Sequence, residues 1–340
     1  MRKQPDYLTN LVRIATWQRE WRDGTDLTAR LHSADRTTGP VVPISMPYET
    51  RSTRRELAHD ARAGRVERVR RGVYLPVHVE SGNRSQDAEA ALMRTVRGLV
   101  DASSADFCFT HTTAAVLHRC WQYRTPGLVH VTYPIKPKIR LGDDGVRRHW
   151  ARLTARDRTI VDRIPVTTLE RTVFDCTRTL EFDSALVLAT SAFRLGADPD
   201  VVGVILDENR RMPGIAAART VLAAIEPGCA SPGEVLAHRA AWLVRPEGLK
   251  TQIRVVTRRG TYWVDSGWPA LKVGIEFHGA VKYSGGSFGD PSARQKERAL
   301  RAQALMEEGW RILDLEWNGV IDQQRLELTV REALLRRRQW

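Results

Sequence analysis

The residues with the clearest chemistry in this 340-residue chain are two acids near its C-terminal end. Val264-Asp265 closes one apolar run, and Val273-Gly274-Ile275-Glu276-Phe277-His278 closes the next, with Trp268-Pro269 turning between them. If the two runs are adjacent antiparallel strands, the Asp265 and Glu276 carboxylates meet. Two hard oxygen donors at close range hold Mg²⁺ (or Mn²⁺) well. Such an ion activates water and neutralises charge on a phosphoryl oxygen. His278 stands two residues after Glu276 and shares its face of the strand.

A second group of residues is basic. Arg54, Arg55, Arg62, Arg65, Arg68, Arg70 and Arg71 all lie within residues 51–80, a segment with eight basic and four acidic side chains. Arginine serves both phosphate and guanine contacts. The whole chain carries 53 Lys and Arg against 40 Asp and Glu, a formal charge of +13 that suits an anionic partner. Only seven of those cations are Lys, a skew that genome composition alone can produce, so the location of the charge counts for more than its total. It concentrates in three places: residues 51–80 (net +4), 131–180 (net +5) and 230–340 (net +5).

The elements that must position these groups follow from periodicity and punctuation. Thr53 and Glu56 have the spacing of a helix-capping box, and Gly64 ends that helix. Val66, Val69, Val73 and Leu75 then flank a Gly-containing turn, as in a hairpin. A helix followed by a basic hairpin is the closing part of a winged helix-turn-helix, which sets a helix in the major groove and a wing on the backbone. The spacing also predicts helices over 7–22, 87–100, 112–118, 167–179, 183–195, 199–210 and 214–225, with strands at 107–109 and 128–133. The run Glu226-Pro-Gly-Cys-Ala-Ser-Pro-Gly233 marks a boundary. Beyond it the order is helix (231–244), three strands (251–257, 262–266, 271–277), a Gly-rich loop, a helix (291–308), a strand (311–316) and a final helix (323–338). The fold class is α/β (α+β overall). The expected division is a helical extension over 1–50, the winged unit over 51–80, a mixed α/β middle region over 81–228, and an α/β domain over 230–340.

Other classes are disfavoured. No run approaches the ~20 apolar residues needed to span a bilayer. The N-terminal MRKQPDYLTN has no apolar core behind its basic residues, so a soluble cytoplasmic protein with no membrane partner is expected. Cys108, Cys120, Cys176 and Cys229 form no C-x-x-C pair and read as reduced, buried thiols. Arg171 and Asp175 have the i, i+4 spacing of a helical ion pair. His111 and His118 read as structural, and His238 as a surface residue.

The C-terminal residues resemble the PD-(D/E)xK restriction-endonuclease-like fold, in its very-short-patch-repair (Vsr)-like branch, over residues 230–338. The likeness rests on a helix bearing Glu234, strands bearing Asp265 and Glu276-Phe277-His278, then Lys282-Tyr283, Lys296 and Gly309-Trp310-Arg311-Ile312-Leu313. It implies an Mg²⁺-dependent endodeoxyribonuclease in which Glu234, Asp265 and Glu276 bind the metal and a lysine orients the attacking water. The chain has His278 where that family has the lysine of its E-x-K. The lysine role then passes to Lys282 or Lys296, or His278 acts as base or ligand. Glu234 also has a simpler reading, an acid in the first turn of a helix after Ser231-Pro232.

Residues 50–195 resemble the AbiEi-type antitoxins of type IV toxin–antitoxin systems. The matching stretches are Arg68-Val69-Arg70-Arg71-Gly72-Val73-Tyr74, His111–His118, Val129–Thr132 and Pro165–Asp175. This likeness implies promoter binding and repression, with a cognate toxin as a further partner, and no small-molecule substrate. Two functions are therefore expected. One is a DNA-binding protein carrying a nuclease; the other is a repressor or antitoxin that keeps a nuclease fold without cleavage.

Overall fold

The protein is described by a computed structural model that covers residues 6–23, 54–70, 73–102, 105–135, 145–279 and 291–337; the side chains of 21–23, 54, 55, 70, 102, 291–295 and 337 lie outside the description. In chain order the helices are α1 (Tyr7–Asp23), α2 (Arg54–Arg62), α3 (Arg84–Ala102), α4 (His111–Leu117), α5 (Leu169–Thr177) and α6 (Phe182–Arg194). There follow α7 (Pro199–Glu208), α8 (Ile215–Ala224), α9 (Pro232–Val244), α10 (Pro291–Glu307), α11 (Trp317–Ile321) and α12 (Gln323–Arg337). The strands are β1 (Val66–Arg70), β2 (Val73–Pro76), β3 (Cys108–Phe109), β4 (Val129–Tyr133), β5 (Val146–Trp150), β6 (Arg158–Val161) and β7 (Ile164–Thr167). The last four are β8 (Lys250–Thr257), β9 (Gly260–Trp268), β10 (Val273–Phe277) and β11 (Arg311–Leu315). Helices and sheets of both pairing senses make this a mixed α/β protein. Among the described residues no helix is long and apolar enough to cross a membrane.

The chain forms two compact units. One comprises Met1–Thr37, Glu181–Arg194 and Arg219–Trp340; the other comprises Thr38–Leu180 and Leu195–Ala218. These borders differ from the segment boundaries that the sequence suggests, because α1 and α6 join the C-terminal elements. Polar anchoring accounts for the position of α1. Asn10 Nδ2 donates to the carbonyls of Leu222 (2.6 Å) and Ile225 (3.1 Å), and Gln18 Nε2 donates to that of Phe193 (2.8 Å). These carbonyls belong to the C-terminal ends of α8 and α6, where helical partners run out. Leu11 and Ile14 bury the apolar face of α1.

The second unit is built on a five-stranded sheet of order β5-β4-β3-β7-β6. Its core joins Leu92, Val96 and Leu99 of α3 to Phe109, Val129, Val131, Ile164 and Val166 of the strands. The hairpin β1-β2 is a separate two-stranded sheet, with its register shifted between Arg68 and Arg70. Val66, Val73 and Leu75 are buried along it. Sequence pattern alone does not assign β5, β6 and β7. The β6-β7 turn is Asp162-Arg163, both at positive φ (48° and 66°). That conformation normally requires Gly or Asn, so the usual hairpin signal is absent from the sequence.

All four cysteines are free and buried, as expected. Arg171 and Asp175 do pair, with Nε to Oδ2 at 3.1 Å. His118 is structural: its Nε2–H donates to the carbonyl of Thr167 at 2.6 Å. Burial holds His118 below its ordinary pKa of 6.5, against the raising effect of that bond. A histidine depressed in the folded state contributes stability that is present above pH 6.5 and lost as the pH falls below it. His118→Gln keeps an N–H donor and removes the titration. Melting curves between pH 7 and pH 5, on the order of the histidine range, are expected to fall less steeply for this variant than for the parent. Equal slopes would show that His118 does not govern acid sensitivity.

The first unit carries a four-stranded sheet of order β11-β10-β9-β8. β10 is antiparallel to β9 and parallel to β11, and β8 is antiparallel to β9. Helix α9 packs on β9 and β10, whereas α10 packs on β8 and β11. The core on the α10 side contains Ile253, Val255, Val264, Leu305 and Trp310. Gly274 sits where an added Cβ would come within 2.6 Å of Val264 Cγ1 and 2.8 Å of Ile312, so the strands pack closely there only because it is glycine.

Candidate active site

Strand pairing brings the two sequence-predicted acids together. Ile275 lies opposite Ser266 in the β9-β10 ladder, so the next residues on each strand are Glu276 and Asp265. Asp265 Oδ2 accepts from the backbone N–H of Phe277 at 2.9 Å, which ties it to the end of β10. Glu276 is buried, and burial pushes its pKa up. The Arg301 guanidinium opposes that rise, while the Asp265 charge adds to it.

Glu234 enters from α9. Ser231 caps this helix: its Oγ accepts from the Glu234 N–H, while Glu234 Oε1 accepts from the Ser231 hydroxyl at 3.0 Å and Oε2 from the Ala230 N–H at 2.7 Å. The residue is thus an acid in the first turn, as its position suggested, and it helps cap the helix. It also stands within electrostatic reach of Asp265. Burial first, and the Asp265 charge second, push Glu234 up to about 8. The Asp265 charge thus acts on two buried carboxylates. The first turn of α9 can approach β10 closely because Gly233 has no side chain; a Cβ there would fall 2.2 Å from the Phe277 ring.

Two further groups complete the cluster, and sequence pattern points to neither. Asp314 of β11 is in register with Glu276 across a parallel pair. His278 Nε2 lies 2.8 Å from Asp314 Oδ1 and 4.0 Å from Glu276 Oε2. The hydrogen bond from His278, and then the nearby Arg298, hold the Asp314 carboxyl below its ordinary value. The second such group is Arg301 of α10, whose Nη2 donates to Glu276 Oε1 at 2.7 Å and also to the Trp263 carbonyl. Arg298, one turn earlier, reaches Asp314 at 3.2 Å. Glu276, His278 and Asp314 each offer an atom within 4.8 Å of the others, a spacing compatible with one shared ion.

The lysines fare differently. Lys282 lies outside the described residues. Lys296 is on α10 and exposed. At about 100° per residue, it sits roughly 140° around the helix from Arg301 and faces away from Glu276. Among the described residues the cation paired with Glu276 is therefore an arginine. His238, expected at the surface, is buried, with Nδ1 3.1 Å from Ser266 Oγ.

Of the basic residues expected to bind DNA, Arg62, Arg65 and Arg68 are exposed along α2 and β1. Arg65 is paired with Asp60. Arg54, Arg55 and Arg70 have described backbones in α2 and β1, their side chains lying outside the description, as does all of Arg71. Of the middle basic stretch, Arg156 pairs with Glu208 and Arg158 with Asp106, so these two are engaged within the protein.

No protein-family model, curated protein or solved structure matches the chain.

Proposed function

We propose that the protein binds DNA and that its C-terminal αβββαβ elements form a PD-(D/E)xK-type nuclease that hydrolyses phosphodiester bonds. The observation that carries this reading is the pairing of Asp265 with the buried Glu276 across β9 and β10, with the buried Glu234 near enough to feel the Asp265 charge. Crowded, buried carboxylates are stable together only when protonated or neutralised by a cation. Asp265, Glu276 and Glu234 offer only oxygen donors, which suits Mg²⁺ or Mn²⁺, and the adjoining Glu276, His278 and Asp314 group adds one imidazole nitrogen. Asp265 and Glu276 would hold the ion, with Glu234 as a further ligand. A divalent ion there supplies an activated water and neutralises charge on the phosphoryl group.

The chain's own residues contribute three things. Arg301 keeps one oxygen of Glu276 fixed and places a guanidinium beside the acids, where it can bind a phosphate oxygen. The Asp314 carboxylate accepts the Nε2–H of His278 and so fixes its tautomer, leaving the Nδ1 lone pair to take a proton. Exposed arginines along α2 and β1 offer a backbone-binding surface of the winged type. The test is incubation with supercoiled plasmid and Mg²⁺ or Mn²⁺, where nicking is expected.

A second reading has an observation of its own. Glu276 already has an arginine partner, and no lysine is described beside it, which favours an AbiEi-like repressor or antitoxin with a silent nuclease fold. Tight binding to its own promoter with no cleavage under either metal would decide for it. Both readings require the wing. Arg68→Glu combined with Arg70→Glu is expected to weaken DNA binding and to reduce the salt slope by about one for each phosphate no longer neutralised. Unchanged binding would place the interface elsewhere.

A further inference from the structure

A second cluster of metal-binding side chains lies in the other unit and plays no part in the proposed nuclease. His111 opens α4, His130 lies on β4 and His149 on β5. One ring nitrogen from each lies within 4.8 Å of the others. His130 Nδ1 and His149 Nε2 are 3.1 Å apart. At a zinc–nitrogen distance of ~2.0–2.1 Å, two tetrahedral ligands are separated by about 3.3 Å, so this pair already has the spacing of ligands to one ion. The His111 ring stacks on that of His149 with centroids 4.2 Å apart. Its Nδ1 is engaged by Thr110 Oγ1 at 3.0 Å. Its Nε2 is buried and has no hydrogen-bond partner among the described residues.

We infer that His111, His130 and His149 form a site for a divalent transition metal of the zinc class, with a fourth position open to water or an anion. Three imidazoles without a carboxylate select borderline metals over Mg²⁺. The scaffold holds them in place. β4 and β5 are paired in parallel, with Thr132 opposite His149, and the His130 N–H donates to Thr113 Oγ1 of α4 at 2.8 Å. Thr110 fixes the His111 ring as outer-sphere partners of metal-bound histidines do, and is itself held by Thr132 Oγ1 at 3.0 Å. The torsion that would turn the stacked rings to converge is a soft one for imidazole. Arg171 and Arg178 stand near His111 with their charges offset by Asp157 and Asp175, while Arg147 of β5 is a further cation near His130 and His149 that a bound metal must tolerate. His130 and His149 are only partly buried, so solvent can reach the fourth position.

The test is titration of the full-length, chelator-treated protein with Co²⁺ and Zn²⁺. One equivalent of Co²⁺ is expected to give the strong visible absorption of a low-coordinate nitrogen site, displaced by Zn²⁺ and unaffected by excess Mg²⁺. His149→Ala and His130→Ala are expected to weaken binding by at least about 100-fold, whereas His278→Gln keeps the absorption. Absence of the band in the parent, or its survival in His149→Ala, overturns the assignment and leaves a stack of neutral imidazoles only. Should the alanine variants not fold, imidazole ¹⁵N spectra of the histidine-labelled parent decide. Zn²⁺ must shift three histidines together, and spectra unchanged by Zn²⁺ refute the site.

Discussion

Asp265→Asn and Glu276→Gln are each expected to reduce Mg²⁺-dependent nicking of supercoiled plasmid by more than ~10²-fold, since loss of a mere outer-sphere partner of a metal typically costs 10–100-fold. DNA affinity should change little, because the proposed binding arginines lie in the other unit. The two variants differ in what they do to the folded protein. Asparagine at 265 keeps an oxygen for the Phe277 N–H and removes the charge that helps push Glu234 up. Its melting temperature should equal or exceed that of the parent, a gain in stability with a loss of activity, as at strained functional sites. Glutamine at 276 leaves the Arg301 guanidinium without its carboxylate and should lower stability modestly. Arg301→Lys keeps a cation and should retain part of the activity, while Arg301→Met should not. Full cleavage by Asp265→Asn would remove the nuclease reading.

What the sequence could disclose of this site depended on separation along the chain. Asp265 and Glu276 lie on consecutive strands, and the short connection after Trp268 makes such strands neighbours, so their meeting follows from local pattern; β9 itself runs three residues past Asp265, beyond the point at which its apolar run closes. Asp314 required more. It becomes Glu276's neighbour only through the parallel β10-β11 pair, and the intervening helix conceals that register. Arg301 is obscured by composition: in a chain so rich in arginine no single one stands out, and the few lysines draw attention instead. Helical phase settles the point, since Arg298 and Arg301 share a face that Lys296 does not. The histidine cluster shows the same limit more strongly. His111 and His130 lie on separate elements, and His149 sits on a short charged strand within a basic stretch. None of the three has a local partner, so His111 looks isolated in the sequence. In the fold, burial first and then mutual proximity hold His111 down to about 2, while His130 and His149 are held down to about 4, burial again leading.

Arg171→Met is expected to cost about 3–5 kcal/mol, the range for removing one partner of a buried ion pair. Arg171 is 8% exposed, and its acids Asp157 and Asp175 are 3% and 1% exposed. Its Nε meets Asp175 Oδ2 at 3.1 Å, and its Nη1 is 3.7 Å from Asp157 Oδ1. Asp157 also accepts from the Thr154 N–H and hydroxyl, which fixes the turn ahead of β6. Methionine fills the volume but leaves two buried acids without their shared guanidinium, and Asp175 then relies on Arg178 at 3.5 Å. The loss should depend on pH. Burial already raises Asp175 against the pull of Arg171, and without that arginine the carboxyl rises further. An acid raised in the folded state binds a proton that the unfolded chain has released, so stability falls as pH rises above the unfolded value. Urea unfolding should therefore give a larger deficit at pH 8 than at pH 5, values chosen on the order of the carboxylate window. The melting temperature should drop by roughly 6–20 °C, at ~2–4 °C per kcal/mol for a unit of this size. Arg171→Met with Asp175→Leu should recover part of the loss, because one of the two acids left without Arg171 has gone and Asp157 keeps its bonds from Thr154. A deficit under ~1 kcal/mol, or one that is the same at both pH values, would mean that these acids are hydrated rather than dependent on Arg171.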